Sequence, residues 1–288
     1  MDENGCVMGG LDTNTKLLAH FDSGVTAETG QTLTFVGTAQ LDTTDKKFGT
    51  ASLLLNGSTD AVTVPNSTDW NFGTGDFTVD AWIKCLELPT ALNPDKQIFN
   101  QYVDALNRTE FKLQYSGGAV NWRLFSTGGV AFSQVANIST GIWYHVAWVR
   151  SGNSFYFFQD GVPIGSVYSS ASAMPSLATT FNIGWATAPG GFWNGKIEEV
   201  RVSKGVARWV TNFTPPIYPY TNYQDIGLRI RKGSTNYIIP GQALTTQKLR
   251  IRKGSTTYGI PLVNTGSDFD GGLRIYEGST KAVAMETV

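Results

Sequence analysis

The sequence predicts an all-β fold: two packed antiparallel sheets, followed by a small β-hairpin repeat module. Three observations lead there. Glycine is abundant (32 residues of 288) and aromatics reach 12%, while charged residues are only 16%, a balance suited to many short strands joined by tight turns. Apolar residues alternate with period two in several segments. Gly, Asn, Asp and Ser pairs punctuate those segments as turns do. No segment shows an amphipathic helix of three turns.

The elements follow in order. Residues 1–15 are polar and read as an N-terminal arm. Residues 16–214 read as one array of strands. Within it, Phe77-Thr78-Val79-Asp80-Ala81 places Phe77, Val79 and Ala81 on one face. Trp143 to Val149 is apolar on both faces, as a central sandwich strand would be. Phe155–Phe158, Gln159-Asp160-Gly161 and Val162–Val167 form a hairpin, because Asp-Gly supplies the positive φ angles of a type I′ turn. Residues 215–224 hold Pro215, Pro216 and Pro219 and read as an extended linker. Residues 225–288 form a three-fold repeat. Leu228-Arg229-Ile230-Arg231-Lys232-Gly233-Ser234-Thr235 recurs at Leu249–Thr256 and, with Tyr276 and Glu277 substituted, at Leu273–Thr280. Each copy reads as strand, Gly-Ser turn, strand. One such hairpin cannot bury a core alone. Leu228, Ile230, Leu249, Ile251, Leu273 and Ile275 are therefore the expected assembly residues, stacking within one chain or between chains.

Charge excludes some functions. The net charge is −1, which argues against nucleic acid as a partner. Residues 225–288 hold nine Lys or Arg against five Asp or Glu, a mildly basic segment of the kind a solvated strand face presents. Cys6 and Cys85 make no disulfide framework and read as free thiols, with a single bridge as the alternative. No apolar stretch is long enough to insert into a membrane. The acidic start Met1-Asp2-Glu3-Asn4 is unlike a signal peptide, so synthesis in the cytoplasm is expected.

Catalysis finds little support in the residues. Asp76 and Asp80 would share a strand face but lie about 13 Å apart at ~3.3 Å per residue, beyond the spacing that glycoside cleavage needs. Glu198 and Glu199 are adjacent and would point to opposite faces. His20 and His145 both sit in apolar strands and read as hydrogen-bonded core or flank histidines. No nucleophile elbow, zinc-protease helix or phosphate loop is present. The chain is read as a non-enzyme. Binding has better candidates. Trp185 to Trp193 is a Gly-rich loop with aromatics at Trp185, Phe192 and Trp193, and Trp70 and Trp122 also lie near turns. Flat aromatic faces stack on sugar C–H surfaces; the alternative is that these rings cap the core. Glu198 alternates with Val200 and Val202, so it would be drawn inward. A buried carboxylate needs a partner or a cation, unless a bulge turns it outward.

Four segments, in order, resemble the concanavalin A-like, laminin G-like jelly-roll family. They are Lys16–Asp22; Lys47-Phe48-Gly49 through Leu55-Asn56-Gly57; Gly75–Trp82; and Trp143–Ala147 with the Asp160-Gly161 hairpin and Gly195–Val202. The resemblance implies a LamG-like jelly-roll sandwich that binds glycans or proteins through edge loops, often beside a structural calcium. By that likeness Glu198 would be a calcium ligand, with Asp22 and Asp60 as matching early carboxylates. Val202–Trp209, Asn212–Pro216 and the Leu-Arg-Ile-Arg-Lys-Gly repeats are similar to those of bacteriophage structural proteins. This implies a virion protein of tail-fibre or receptor-binding type, located on the particle surface or tail. A capsid decoration or head-fibre protein is one alternative, and a carbohydrate-binding module of a bacterial surface protein is another. The implied partners are other virion proteins, copies of itself (a trimer foremost) and a host-surface glycan.

Overall fold

The computed structural model describes residues 11–185 and 191–220, together with the backbone of five short strands beyond them. The chain divides into two compact units, Met1–Asn222 and Tyr223–Val288.

The first unit contains β1 (Thr15–Ala19), β2 (Thr34–Val36), β3 (Gln40–Asp42), β4 (Ser52–Asn56) and β5 (Ala61–Val64). There follow β6 (Phe77–Cys85), β7 (Asp95–Asp104), β8 (Asn107–Ser116), β9 (Ala119–Ser126) and β10 (Val130–Val135). The unit ends with β11 (Trp143–Ser151), β12 (Ser154–Gln159), β13 (Val162–Pro163), β14 (Tyr168–Ser169), β15 (Phe181–Ile183) and β16 (Asn194–Lys204). A single 3₁₀ turn at Thr68–Trp70 is the helical content among the described residues. One sheet runs β13-β12-β11-β6-β16-β4-β3, with β1 beside β16 and β14 beside β12. The other runs β10-β9-β8-β7-β15-β5-β2. All pairings are antiparallel, and the two sheets stack as the jelly-roll sandwich that the sequence predicts.

The core lies between the sheets. Phe77, Val79, Ala81 and Ile83 of β6 point into it, as their alternation requires. Trp148 stands at its centre, with edge contacts to Phe99, Phe111 and Trp122 of the other sheet at 6.2, 5.6 and 5.9 Å. The opposite face of β11 is apolar for a separate reason. Ala147, Val149 and Phe158 form a second cluster, covered by Trp209 and Phe213. At the hairpin after β12, Asp160 (φ 50°) and Gly161 (φ 76°) both take positive φ, as a type I′ turn demands.

Three expectations need correction. The first concerns residues 215–224, expected to be a linker. The segment after β16 folds back over the outer face of the first sheet, and Tyr220 is 5% exposed, so the compact unit extends past residue 214 to Asn222. The second concerns the arm at residues 1–15. Residues 1–10 lie outside the described residues, but Asp12 accepts two hydrogen bonds from the Arg208 guanidinium at 3.0 Å, so the end of the arm is tied down. The third concerns β16. Its register against β6 shifts between Glu198 and Arg201, and Glu199 adopts φ +53°. This bulge breaks the alternation. Ile197, Val200 and Val202 face the core, while Glu198 pairs with Trp82 and Arg201 with Asp80 on the other face.

In the second unit, β17 (Leu228–Lys232) pairs with β18 (Thr235–Ile239), and β19 (Leu249–Lys253) pairs with β20 (Thr256–Ile260). A short β21 (Glu286–Thr287) adds to β20. The first two repeats are thus hairpins in identical register: Leu228 opposes Ile239 as Leu249 opposes Ile260, and Ile230 opposes Tyr237 as Ile251 opposes Tyr258. The third repeat, with Leu273 and Ile275, lies outside the described residues, as does Cys6. Cys85 is a buried free thiol.

Candidate functional site

The outward face of the seven-stranded sheet carries a connected layer of polar side chains. On β8, Phe111 and Leu113 enter the core, so Arg108, Glu110, Lys112 and Gln114 share the opposite face. On β7 a bulge between Gln97 and Phe99 admits Ile98 to the core and leaves Gln97 and Asn100 both opposite that same polar row. Gln97 donates to Glu110 at 3.1 Å. Lys112 donates to Glu110 at 3.0 Å and to Asp95 at 2.9 Å. Gln114 donates to Asp95 and accepts from Arg123 of β9, each at 2.9 Å. Asn182 of β15 donates to Asn100 at 2.9 Å.

These groups cover one another. Gln97, Asn100, Glu110 and Lys112 are only 5%, 2%, 7% and 4% exposed. Burying charges and amides costs free energy even when they are paired. Three atoms of the layer, Gln97 Oε1, Arg108 Nε and Arg123 Nε, are buried without a hydrogen-bond partner among the described residues. At its β15 end lies an aromatic ledge. Tyr102 and Trp185 stand 5.7 Å apart, and the Trp185 carbonyl accepts from Asn100 at 2.7 Å. Amides, charges and rings in this arrangement can bind a polyhydroxylated ligand by hydrogen bonding its edges and stacking its C–H face.

A family profile described as the concanavalin A-like lectin/glucanases superfamily matches residues 56–208, just over half of the chain. The chain belongs to this superfamily. Solved structures of similar fold include domain 4 of AbnA, a GH43 extracellular arabinanase from Geobacillus stearothermophilus, in complex with arabinotriose. It has TM-score 0.51 and 21% identity over 67% of this chain and 94% of that one. The binding domain of Paraclostridial Mosquitocidal Protein 1 is another, with TM-score 0.52 and 12% identity over 91% and 73% of the two chains. The binding domain of botulinum neurotoxin serotype G has TM-score 0.51 and 10% identity over 87% and 65%. At these identities the likeness is one of fold, here the lectin-like jelly roll of the superfamily. No curated protein matches the chain in sequence.

The structure sorts the aromatic candidates. Trp185 and Phe192 are half-buried, and Trp185 belongs to the ledge. Trp70, Trp122 and Trp193 are corrected: they are 0%, 2% and 0% exposed and lie in the core. The Trp70 indole donates to Pro65 O and that of Trp122 to Gln159 Oε1, so turns near them do not bring them to the surface. Residues 186–190 of the loop lie outside the described residues.

The carboxylates are also redistributed. Asp60 is occupied by its own turn and by the loop between β2 and β3, accepting from the amides of Asn56 at 3.1 Å and Thr38 at 2.6 Å. Asp22 accepts from the amides of Thr50 and Ala51. Glu198 is buried after all, but on the outer face, where the Lys47 and Phe48 amides donate to it. Burial pushes its carboxyl up to about 7, and Glu199 and Asp22 add to the rise. Glu199 is likewise raised, chiefly by burial, and binds His20 and the Tyr220 amide at 2.6 Å each. Asp60 therefore does not join Asp22 and Glu198, whose carboxylates do act on each other. Among the described residues no three His, Cys, Asp or Glu side chains form a metal centre. Asp80 and His145 are fully buried with Arg201 and Tyr220, and Asp76 accepts from the Gly152 amide.

The polar face itself was missed by sequence reasoning. Its signal was nevertheless present: Arg108, Glu110, Lys112 and Gln114 alternate with Phe111 and Leu113 around it. The bulge at Ile98 hid the matching row on β7.

Proposed function

We propose that this chain is a non-catalytic glycan-binding protein whose ligand lies along the polar face, between the Trp185 ledge and Arg123. The layer joining Gln97, Asn100, Glu110 and Lys112 to an aromatic ledge is the observation that carries the reading. Sugars offer what it needs: hydroxyls that donate and accept, and apolar C–H faces for rings. The arabinotriose complex of a domain with the same fold supports it. The test is a glycan array with the full chain, followed by calorimetry on the hits. Trp185→Ala and Gln97→Leu are each expected to weaken binding about ten-fold, a loss of ~1.4 kcal/mol, with melting little changed in Trp185→Ala. Hits whose affinity neither variant alters would overturn the site. Laminarin or agarose hydrolysed by the protein, and no longer by its Glu198→Gln variant, would overturn the non-catalytic reading.

The finer reading is a bacteriophage virion protein of receptor-binding type, whose repeats mediate attachment or self-association. Two hairpins in identical register at Leu228–Ile239 and Leu249–Ile260 support a repeated assembly element. Weak sugar sites would gain avidity from several copies. Light scattering showing a trimer, and the protein's presence in purified particles, are the expected results. A particle-bound protein on the head would select the capsid decoration alternative, and a monomer on a bacterial surface the carbohydrate-binding module. The calcium implied by the family resemblance would have Asp22 and Glu198 as its side-chain ligands. Its test is a rise in melting temperature when calcium is added to metal-free protein, lost in Asp22→Asn.

A further inference from the structure

We infer that the polar face reads an anionic group on its glycan, a carboxylate or a sulfate, and that Arg123 is the residue that binds it. This rests on the glycan reading above and adds the ligand's charge class.

The inference comes from unbalanced charge within the layer. Three cations face outward there, Arg108, Lys112 and Arg123, against two carboxylates, Asp95 and Glu110. Lys112 takes both carboxylates, at 2.9 and 3.0 Å. Arg108 shares Glu110 at 3.5 Å and donates to the Ala105 carbonyl. Arg123 receives nothing charged. Its one hydrogen bond goes to the neutral amide of Gln114 at 2.9 Å, and no ion pair matches the one that Arg108 makes with Glu110.

The cross-strand neighbours sharpen the point. Arg123 lies directly opposite Lys112 on β8 and opposite Ser133 on β10. Like charges directly opposite on a sheet face are destabilising, and a purely structural arginine would be expected beside a carboxylate. The row continues to Gln97, opposite Lys112 on β7, which is 5% exposed and has an unpaired Oε1. Beside the row, the guanidinium groups of Arg108 and Arg123 lie 4.8 and 5.6 Å from the Phe125 ring, which limits their freedom to swing away to water. An anion at Arg123 would neutralise the excess charge by accepting from Nη2, the guanidinium nitrogen that the Gln114 bond and burial leave free.

The experiment compares charged and uncharged partners on one scaffold. The full chain is screened on an array carrying neutral, sialylated, uronic-acid and sulfated glycans, and lactose, 3′-sialyllactose and lactose 3′-sulfate are titrated with the best hits. The expected result is about ten-fold or greater preference for an anionic member over its neutral parent. That preference should shrink in about 0.5 M NaCl. It should fall to about two-fold or less in Arg123→Gln, whereas Arg123→Lys keeps most of it and controls for folding. The carboxylated and sulfated arms identify which anion is read. Equal binding of charged and neutral partners, or a preference that survives Arg123→Gln, overturns the assignment and leaves the glycan reading standing. Silence across the whole array, neutral members included, overturns both.

Discussion

Replacing Asp80 by Asn tests the buried network that fastens residues 205–220 to the first sheet. Asp80 is 0% exposed and accepts from Arg201 Nε at 3.0 Å and Nη2 at 3.3 Å, and from the Tyr220 hydroxyl. Arg201 is also 0% exposed, with its guanidinium 3.8 Å from the Tyr220 ring. Burial by itself would raise the Asp80 carboxyl, but Arg201 and then His145 outweigh it and hold the value at about 2, against an ordinary 3.8. A lowered carboxylate pKa gives stability that is present above 3.8 and lost as pH falls through about 2; that difference amounts to about 2 kcal/mol. The substitution should cost more than this, because Asn also strands the Arg201 charge in the interior, for which about 3–5 kcal/mol is usual. All eight tryptophans precede residue 210, so urea unfolding followed by fluorescence reports the first unit alone. A midpoint lower by roughly 1–2 M is expected. The double variant Asp80→Asn/Arg201→Met should recover much of the loss, since no buried charge is left unpaired. A cost below about 1 kcal/mol for the single variant, or a double variant as unstable as the sum of the two singles, would refute the reasoning.

Three further outcomes are expected. Glu198 has a raised folded pKa, so its contribution is fully present below 4.5 and lost as pH rises through about 7; stability should decline by up to about 3 kcal/mol between pH 5 and 8 from this group, and Glu198→Gln should flatten that slope in denaturation curves. Gly161→Ala forces a side chain into φ +76° with its Cβ 1.9 Å from the Phe213 carbonyl oxygen, so strain plus disturbance of the Phe213 amide bond to Gly161 O should cost about 2 kcal/mol in the same assay. Trp193→Ala should destabilise by about 3–5 kcal/mol because the ring is core, while the half-buried Trp185 should tolerate alanine within about 1 kcal/mol; equal effects would place both rings in one role.

What the sequence determined by itself was everything set by near neighbours along the chain. Alternation in Phe77–Ile83 selects the core face of β6 wherever that strand is placed, and Asp160-Gly161 makes its turn from local φ preferences. The repeats declare their hairpins because strand, turn and strand are contiguous. Tertiary structure decided what depends on a distant partner. An added residue at Glu199 or Ile98 looks like ordinary alternation until the neighbouring strand sets the register, and each bulge then reassigned the faces beyond it. Tyr220 reads as linker because its burial depends on Asp80 and Arg201, far away in sequence. The same holds for the polar face. Arg108 to Gln114 could be any solvated strand until β7, β9 and β15 bring Gln97, Arg123 and Asn182 beside it, since a binding surface is assembled across strands and only the pairing of the sheet brings it together.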